Sequence, residues 1–174
     1  MITGRCLCGA VQYTTAAAPI TTRLCWCRLC QFIAAGNAAV SVCFPSAGLS
    51  VSGETRDFKS IADSGNTMHR RFCPVCGVHL FSEAEARPHL VFIRAGTLDN
   101  PSLARPAATI WAAQAPAWAC IDETLPRWEG QPPPVDWTTR CGEGCSSSGA
   151  KTDGNSPRRL STNRETSRKR GDAK

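Results

Sequence analysis

The 174-residue sequence has no apolar run long enough to cross a bilayer, which argues against a membrane-spanning protein. Its first residues, Met1 to Cys6, lack the basic start and apolar stretch of a signal peptide. We therefore expect a cytoplasmic, reducing setting, in which cysteines stay thiols or become metal ligands. The sequence also lacks internal repeats and any long helical period.

Histidine is scarce and gives no metal motif. His69, His79 and His89 are the only three, and none belongs to an HxxxH or HExxH pattern. His79 and His89 lie in strand-like runs, so we expect them to be hydrogen-bonded surface residues.

The net charge of +6 belongs mainly to the end of the chain. Residues 1–150 carry 12 Lys+Arg and 11 Asp+Glu, whereas residues 151–174 carry 8 and 3. Between residues 146 and 174 there is one large apolar side chain, too few to offset the entropy of ordering that segment. We expect a folded domain at 1–136 and a disordered, basic tail at 137–174.

The folded part is predicted to be mostly β. Short runs rich in β-forming residues alternate with turns such as Ser64–Asn66 and Leu98–Pro101. One short helix is expected over residues 28–38. The predicted strands are Ala10–Thr15, Ala39–Phe44, His79–Ser82 and His89–Arg94.

Cysteine is abundant, and seven of the eleven cysteines fall into three tight clusters. A Cys-x-Cys pair makes a strained internal disulfide, whereas zinc readily takes closely spaced thiolates. Metal binding is therefore favoured over disulfides. The clusters are Cys6-Leu-Cys8, Cys25-Trp-Cys27-Arg-Leu-Cys30 and Cys73-Pro-Val-Cys76.

The first and last clusters together offer four thiolates, enough to close one tetrahedral site. In both, a glycine follows the second cysteine and lets the backbone fold over a metal. We predict one structural zinc bound by the four; a redox-active CxxC or plain buried thiols are the alternatives. The predicted ligands are Cys6, Cys8, Cys73 and Cys76.

The triplet of Cys25, Cys27 and Cys30 offers only three thiolates and leaves one tetrahedral corner open to water or substrate. Three alternatives remain: a fourth protein ligand (Cys43, Cys120 or a histidine), a reduced and empty triplet, or an iron–sulfur cluster. We favour an open zinc site.

The other cysteines and the tryptophans give weaker signals. Cys43 and Cys120 lie among apolar residues and are predicted to be small core side chains. Cys141 and Cys145 lie near the tail and are assigned to no site. Four tryptophans are expected to pack the C-terminal part of the domain, with one or two lining a cleft; they are Trp111, Trp118, Trp128 and Trp137.

In order and spacing, the clusters resemble the glutathione-dependent formaldehyde-activating enzyme (GFA) family, also called the CENP-V/GFA domain. The similarity covers roughly residues 2–130. It is carried by Gly4-Arg-Cys-Leu-Cys-Gly-Ala-Val-Gln-Tyr13, Cys25-Trp-Cys-Arg-Leu-Cys-Gln31, Arg71-Phe-Cys-Pro-Val-Cys-Gly-Val-His-Leu-Phe81, Ala95-Gly-Thr-Leu-Asp-Asn-Pro101, Pro106-Ala-Ala-Thr-Ile-Trp111, Pro116-Ala-Trp118 and Leu125-Pro-Arg-Trp-Glu129.

The resemblance implies a β-tent (Mss4-like) fold of antiparallel sheets and two Zn²⁺ per chain. Cys6, Cys8, Cys73 and Cys76 would bind the structural zinc, and the triplet would bind the catalytic zinc. The implied reaction is the addition of glutathione to formaldehyde, giving S-hydroxymethylglutathione, which is formally carbon–sulfur lyase chemistry in the synthetic direction.

Three residues differ from the family's usual pattern. Trp26 replaces a histidine between the first two triplet cysteines, Arg28 replaces a small polar residue, and Thr109 replaces the histidine of Pro-x-x-His-Ile-Trp. Arg28 and Thr109 are candidate substrate-binding residues. For Arg28 the reason is that a guanidinium beside the triplet could stabilise thiolates or pair with a substrate carboxylate. A surface arginine without such a role is the alternative.

Two functions compete. The first is a zinc-dependent carbon–sulfur lyase acting on glutathione or another small thiol adduct. The second is a non-catalytic zinc scaffold whose basic tail contacts an anionic macromolecule. A nucleic-acid partner is not expected, because the tail has no aromatic residues for base stacking and its cations are interrupted by acids. The open triplet favours the enzyme.

Overall fold

A computed structural model describes residues 1–133, which form ten β-strands and one α-helix. The strands are β1 (Ile2–Arg5), β2 (Gln12–Thr15), β3 (Thr21–Cys25), β4 (Ala39–Pro45), β5 (Leu49–Ser52), β6 (Arg56–Ile61), β7 (Thr67–Phe72), β8 (His79–Ala84), β9 (Leu90–Arg94) and β10 (Ala108–Ile110). Helix α1 spans Arg28–Ile33. Short 3-10 turns occur at Ala95–Thr97, Pro101–Ala104 and Ala112–Gln114.

The strands form two sheets, which confirms a mostly β, antiparallel fold. The smaller sheet has the order β1-β2-β5, and the larger has the order β10-β3-β4-β9-β8-β7-β6. All neighbours are antiparallel except β10, which runs parallel to β3. No helix in the described residues is long and apolar enough to span a membrane.

One face of the larger sheet builds the core. Val42 on β4 lies opposite Ile93 on β9, which in turn lies opposite Phe81 on β8, and all three are buried. Residues that lie directly opposite one another point to the same face. Tyr13 of the smaller sheet packs edge-on against Phe81, with ring centroids 5.2 Å apart. The core therefore lies between the two sheets.

The opposite face of the larger sheet is polar and cationic. Arg23, Ser41 and Arg94 are register partners across β3, β4 and β9, and Arg70 lies opposite Ser82 across β7 and β8. Because side chains alternate between faces along a strand, this set lies opposite to the apolar core set. The sheet thus separates an apolar core from a polar, cationic face on which Arg70 and Ser82 are themselves buried.

Gly4 allows the smaller sheet to approach the core closely. A Cβ at this position would lie 2.2 Å from the Tyr13 hydroxyl oxygen and 2.4 Å from the Thr97 carbonyl oxygen. The same tyrosine hydroxyl is hydrogen-bonded to Thr97 Oγ1 at 2.9 Å. Any side chain at position 4 would have to displace this pair.

The helix predicted over 28–38 is confirmed, but it ends at Ile33. Ala35 and Gly36 both have positive φ angles, 53° and 101°, and the Gly36 amide bonds back to the Gln31 carbonyl at 2.7 Å. The left-handed backbone stops the helix, and the returning amide satisfies one of its last carbonyl groups. The sequence prediction therefore placed the helix end too late.

All four predicted strands are present, with ends shifted by up to two residues. The other six strands were not named from the sequence. β6 is one example: it is mostly exposed at the sheet edge and carries charged residues, so it lacks the alternating pattern of a half-buried strand. The turn at Ser64–Asn66 is confirmed, since the Ala62 amide bonds to the Asn66 carbonyl at 2.9 Å. The predicted tail, 137–174, lies outside the described residues.

Candidate metal centres and the adjoining cavity

Two pairs of cysteines that are far apart in sequence meet at one end of the smaller sheet. Cys6 and Cys8 follow β1, whereas Cys73 and Cys76 follow β7, and the four sulfurs lie within 4.8 Å of one another. The Cys6 and Cys8 sulfurs are 3.5 Å apart, and those of Cys8 and Cys73 are 3.7 Å apart. A tetrahedron with Zn–S bonds of 2.3 Å has edges of about 3.8 Å, so this donor set fits a zinc ion.

The backbone folds around these sulfurs as predicted from the glycine that follows each cysteine pair. Gly9 and Gly77 take left-handed φ angles of 77° and 72°. The Val11 amide donates to Cys6 Sγ at 3.3 Å. The backbone amide of Val78 and that of Cys8 lower the pKa of Cys76 to about 6. Backbone dipoles therefore favour thiolates here, as a metal site needs.

The second cluster lies where β3 passes into α1. Cys25 is the last residue of β3, Cys27 precedes the first residue of the helix, and Cys30 lies in its first turn. Their three sulfurs lie within 4.8 Å of one another. Among the described residues no other Cys, His, Asp or Glu ligand atom joins this group. Neither Cys43 nor Cys120, the fourth ligands considered from the sequence, closes the site.

The three thiols interact strongly. Hydrogen bonds from Cys25 and then Cys30, together with backbone amides, lower the pKa of Cys27 to about 3. The same contacts, with burial, raise the pKa of Cys25. The cluster thus holds one thiolate that accepts from two protonated neighbours, and a bound cation would take the place of those two protons.

Gln31, for which the sequence suggested no role, holds the turn that carries the triplet. Its side chain is 3% exposed. Gln31 Nε2 donates to the Trp26 carbonyl at 2.6 Å and to the Gln114 carbonyl at 2.8 Å, and its Oε1 accepts from Arg28. Gln31 therefore ties the triplet turn to the segment after β10. Its only sequence signal is its position directly after Cys30.

A cavity of about 140 Å³ opens beside the triplet, on the polar face of the larger sheet. Among the described residues, four arginines line it against a single carboxylate, that of Asp63. The lining residues that bear on function are Cys25, Cys27, Cys30, Arg23, Arg70, Arg87, Arg94, Asp63, Trp111 and Gln131.

Arg94, Arg70 and Arg23 are electrostatically coupled to the triplet thiols, Arg23 through Cys25. Arg94 favours the thiolate form of Cys30, and Cys30 and Cys27 in turn act on Arg70. Arg94 donates to Ser41 Oγ at 2.6 Å, Ser82 Oγ at 2.9 Å and the Nδ1 atom of His79 at 3.2 Å. All of these partners are neutral acceptors, so the hydrogen bonds orient Arg94 without neutralising its charge.

The structure corrects the interpretation of His79 as a surface residue. Burial, followed by the charges of Arg94 and Arg70, lowers the pKa of His79 to about 3. The ring is therefore neutral at pH 7, with Nδ1 accepting from Arg94 and the proton on Nε2. His89 is exposed, as expected, and His69 bonds to Asp57 and Glu85.

Neither candidate substrate-binding residue lines the cavity. Arg28 lies on the exposed side of α1, where its guanidinium carbon is 5.0 Å from the Phe32 ring centroid. Thr109 is 0% exposed on β10, and its hydroxyl has no hydrogen-bond partner among the described residues. The cavity beside the triplet is lined by Arg23, Arg70, Arg87 and Arg94 and not by Arg28. A substrate-binding role for Arg28 stays a prediction.

The structure confirms some of the remaining predictions and corrects others. Cys43 is buried as predicted, but Cys120 is exposed. Trp111 lines the cavity. Trp118 packs edge-on against the buried Trp26, with ring centroids 6.4 Å apart, but 69% of it is exposed, and Trp128 is also exposed. The expectation that these tryptophans pack the domain is therefore met only in part. The nine cysteines of the described residues are free thiols. Trp137, Cys141 and Cys145 lie outside the described residues.

Trp111 has an unusual backbone for a bulky residue, with φ 59° and ψ 36°. Its amide donates to the Gly130 carbonyl at 3.2 Å, and its indole Nε1 donates to Gln131 Oε1 at 3.3 Å. The segment that ends at Gln131 therefore fixes one wall of the cavity. The prediction that one or two tryptophans line a cleft is confirmed for Trp111, whereas the contribution of Gln131 was not predicted.

The family profile described as "Glutathione-dependent formaldehyde-activating enzyme" matches residues 1–114. No curated protein matches significantly. Among solved structures, a crystal structure of a Rhodobacter sphaeroides protein, a structural genomics target, is similar at 16% sequence identity and a TM-score of 0.46. That match covers 72% of this chain and 98% of the other.

Proposed function

Because this chain belongs to the glutathione-dependent formaldehyde-activating enzyme family, we propose that it joins a small thiol to an aldehyde at a zinc ion held by Cys25, Cys27 and Cys30. The favoured pair is glutathione and formaldehyde. The same site would break the adduct in the reverse direction, which is carbon–sulfur lyase chemistry. A second zinc, bound by Cys6, Cys8, Cys73 and Cys76, would be structural.

One observation supports this proposal above the others. The three-thiol cluster lines a cavity, and no further ligand of the described residues closes it. A zinc site with three protein ligands keeps a position for substrate, whereas a four-thiolate site is closed. The four-thiol cluster contributes Cys6 and Cys73 to the hydrophobic core, which fits a structural role.

In the reaction, the thiol sulfur forms a bond to the carbonyl carbon, the π electron pair moves to the carbonyl oxygen, and the thiol proton ends on that oxygen. Zinc at the triplet would supply a lowered thiol pKa or a polarised carbonyl. Arg94 and Arg70 would orient an anionic thiol, since both line the cavity beside the sulfurs. Gln31 would keep the three ligands in position.

The test compares Cys27→Ser with Cys43→Ser. Both replace a buried thiol, but only Cys27 belongs to the triplet. We expect the wild type and Cys43→Ser to accelerate the exchange between formaldehyde and S-hydroxymethylglutathione, measured by NMR exchange spectroscopy, and Cys27→Ser to show only the spontaneous rate. Acceleration by Cys27→Ser equal to that of the wild type would overturn the proposal, as would no acceleration by the wild type.

A further inference from the structure

We infer that Asp63 is a catalytic residue that carries the proton of the reaction, taking it from the thiol and returning it to the carbonyl oxygen. This inference rests on the proposed function and adds a residue with a stated role to it. Asp63 lies in the turn between β6 and β7, outside every segment that carries the family resemblance.

The reaction requires a group that can gain and lose a proton. The thiolate is the nucleophilic form of a thiol, so the proton must leave the sulfur as the bond to the carbonyl carbon forms. The π electron pair moves to the carbonyl oxygen, which must then take up a proton. One side chain can serve both steps if it holds the proton between them, and it ends the reaction in the form in which it began.

Among the described residues that line the cavity, Asp63 is the side chain suited to this role. The arginines cannot give up their protons in a protein, and the three thiols are metal ligands in the proposed function. The remaining polar side chains are hydroxyl, amide and indole groups, which stay neutral at pH 7. A carboxylate, in contrast, accepts and returns a proton readily. These neutral lining residues are Ser41, Ser64, Ser82, Trp111 and Gln131.

His79 is the other acid–base group connected to this region, and it is closed to substrate. It does not line the cavity. Its Nδ1 atom accepts from Arg94 at 3.2 Å, and its Nε2 atom is buried away from solvent. Neither ring nitrogen is therefore open to a thiol bound beside the triplet.

Arg70 shows that Asp63 and the triplet face the same space. The guanidinium charge of Arg70 interacts with Cys30 and Cys27 and also with Asp63. Arg70 is 4% exposed, and its NH1 donates to the Ser60 hydroxyl, so its position is fixed. The cavity that the carboxylate and the thiols share is small, about 140 Å³. A substrate sulfur at the triplet would therefore lie close to the carboxylate.

Gln114 holds Asp63 in relation to the turn that carries the triplet. Gln114 Nε2 donates to Asp63 Oδ2 at 3.4 Å. Gln114 also accepts from the Arg28 amide at its Oε1 and from Gln31 Nε2 at its carbonyl, both at 2.8 Å. A carboxylate has two oxygens, so one can keep the bond to Gln114 while the other accepts a proton.

The surroundings of Asp63 leave it able to titrate. The side chain is exposed, and none of the ion pairs of the described residues includes it. Asp63 can therefore take up a proton without breaking a salt bridge. The thiol proton passes to the carboxylate as the carbon–sulfur bond forms, and the resulting carboxylic acid then gives it to the oxygen of the adduct.

The experiment measures how far the zinc-loaded full chain accelerates the exchange between formaldehyde and S-hydroxymethylglutathione, by NMR exchange spectroscopy. Asp63→Asn keeps the shape of the side chain but cannot accept a proton. The control is Glu54→Gln, which removes an exposed carboxylate outside the lining. Asp63→Ala is measured with added formate, which fits the vacated space and can carry the proton. Circular dichroism and zinc content check that every variant is folded and metal-loaded.

We expect Asp63→Asn to lower the catalysed exchange rate by about a hundredfold, as is usual when a positioned acid–base group is lost. Glu54→Gln should match the wild type. Formate should restore the activity of Asp63→Ala in proportion to its concentration, whereas chloride at the same ionic strength should not. Asp63→Asn and the wild type should not respond to formate. A purely structural role of Asp63 would give no such rescue.

The outcomes separate this inference from the proposed function. Equal acceleration by Asp63→Asn and the wild type would overturn the role of Asp63 and leave the proposed reaction intact. Activity of Asp63→Ala that is lost and not restored by formate would overturn it as well, because Asp63 would then act only through the structure. No acceleration by the wild type would overturn the proposed function, and the role of Asp63 with it.

Discussion

The four-thiol cluster and the three-thiol cluster use the same kind of ligand atom in different surroundings. Cys6 and Cys73 belong to the core between the sheets. Between the two cysteines of each pair lies an exposed apolar side chain, Leu7 or Val75. The triplet instead adjoins a cavity lined by arginines. The two clusters thus differ in the number of thiols and in the charge around them, and we propose that this difference suits the first to structure and the second to chemistry.

The largest expected effect is a difference in the free energy of unfolding between variants of the two clusters. Cys73→Ser should lose most of the free energy of unfolding, because metal binding at a structural site contributes directly to folding and Cys73 is 0% exposed. Cys27→Ser should lose only about 1–2 kcal/mol. Urea denaturation with and without a chelator measures both.

Cys43→Ser is the control for this prediction, because it also buries a serine but belongs to neither cluster. It should lose about 1–3 kcal/mol, the cost of burying a hydroxyl. If Cys73→Ser were no less stable than Cys43→Ser, the four-thiol cluster would not have the structural role proposed for it.

Smaller effects are expected from replacing one glutamine beside each cluster. Gln31→Ala removes two hydrogen bonds that support the triplet turn, so metal affinity at the triplet should fall by about tenfold. Gln12→Ala removes an exposed 3.3 Å bond to the Gly9 carbonyl, beside the four-thiol cluster, and stability should change by less than about 0.5 kcal/mol. Competition with a chromogenic chelator measures the first quantity, and urea denaturation measures the second. Equal metal affinity of Gln31→Ala and the wild type would contradict the role of Gln31.

The cysteine clusters could be predicted because each depends on short sequence spacing. Cys25, Cys27 and Cys30 lie within six residues, so the local change of direction from β3 to α1 is enough to bring their sulfurs together. Pairing the Cys6–Cys8 cluster with the Cys73–Cys76 cluster needed only the count of four thiolates. Local chemistry thus predicted the grouping of the thiols before any fold was known.

The cavity could not be predicted in the same way, because its arginines lie on different elements and meet only through strand register. Arg94 and Arg23 become neighbours because both are register partners of Ser41. No sequence feature near residue 94 predicts this pairing. One signal was present: Arg23 and Cys25 are two residues apart in a strand and therefore share a face. Arg28, the first residue of α1, is exposed and does not line the cavity, so its role as a substrate-binding residue stays a prediction.

The most direct test of the central claim, two distinct zinc sites of which only one is structural, is the zinc content per chain. Wild type, Cys27→Ser and Cys73→Ser would be purified without added metal and measured by elemental analysis together with a thermal melt. We expect two zinc ions in the wild type, one in Cys27→Ser with a melt close to that of the wild type, and a Cys73→Ser protein that is strongly destabilised. One zinc in both the wild type and Cys27→Ser would contradict this claim.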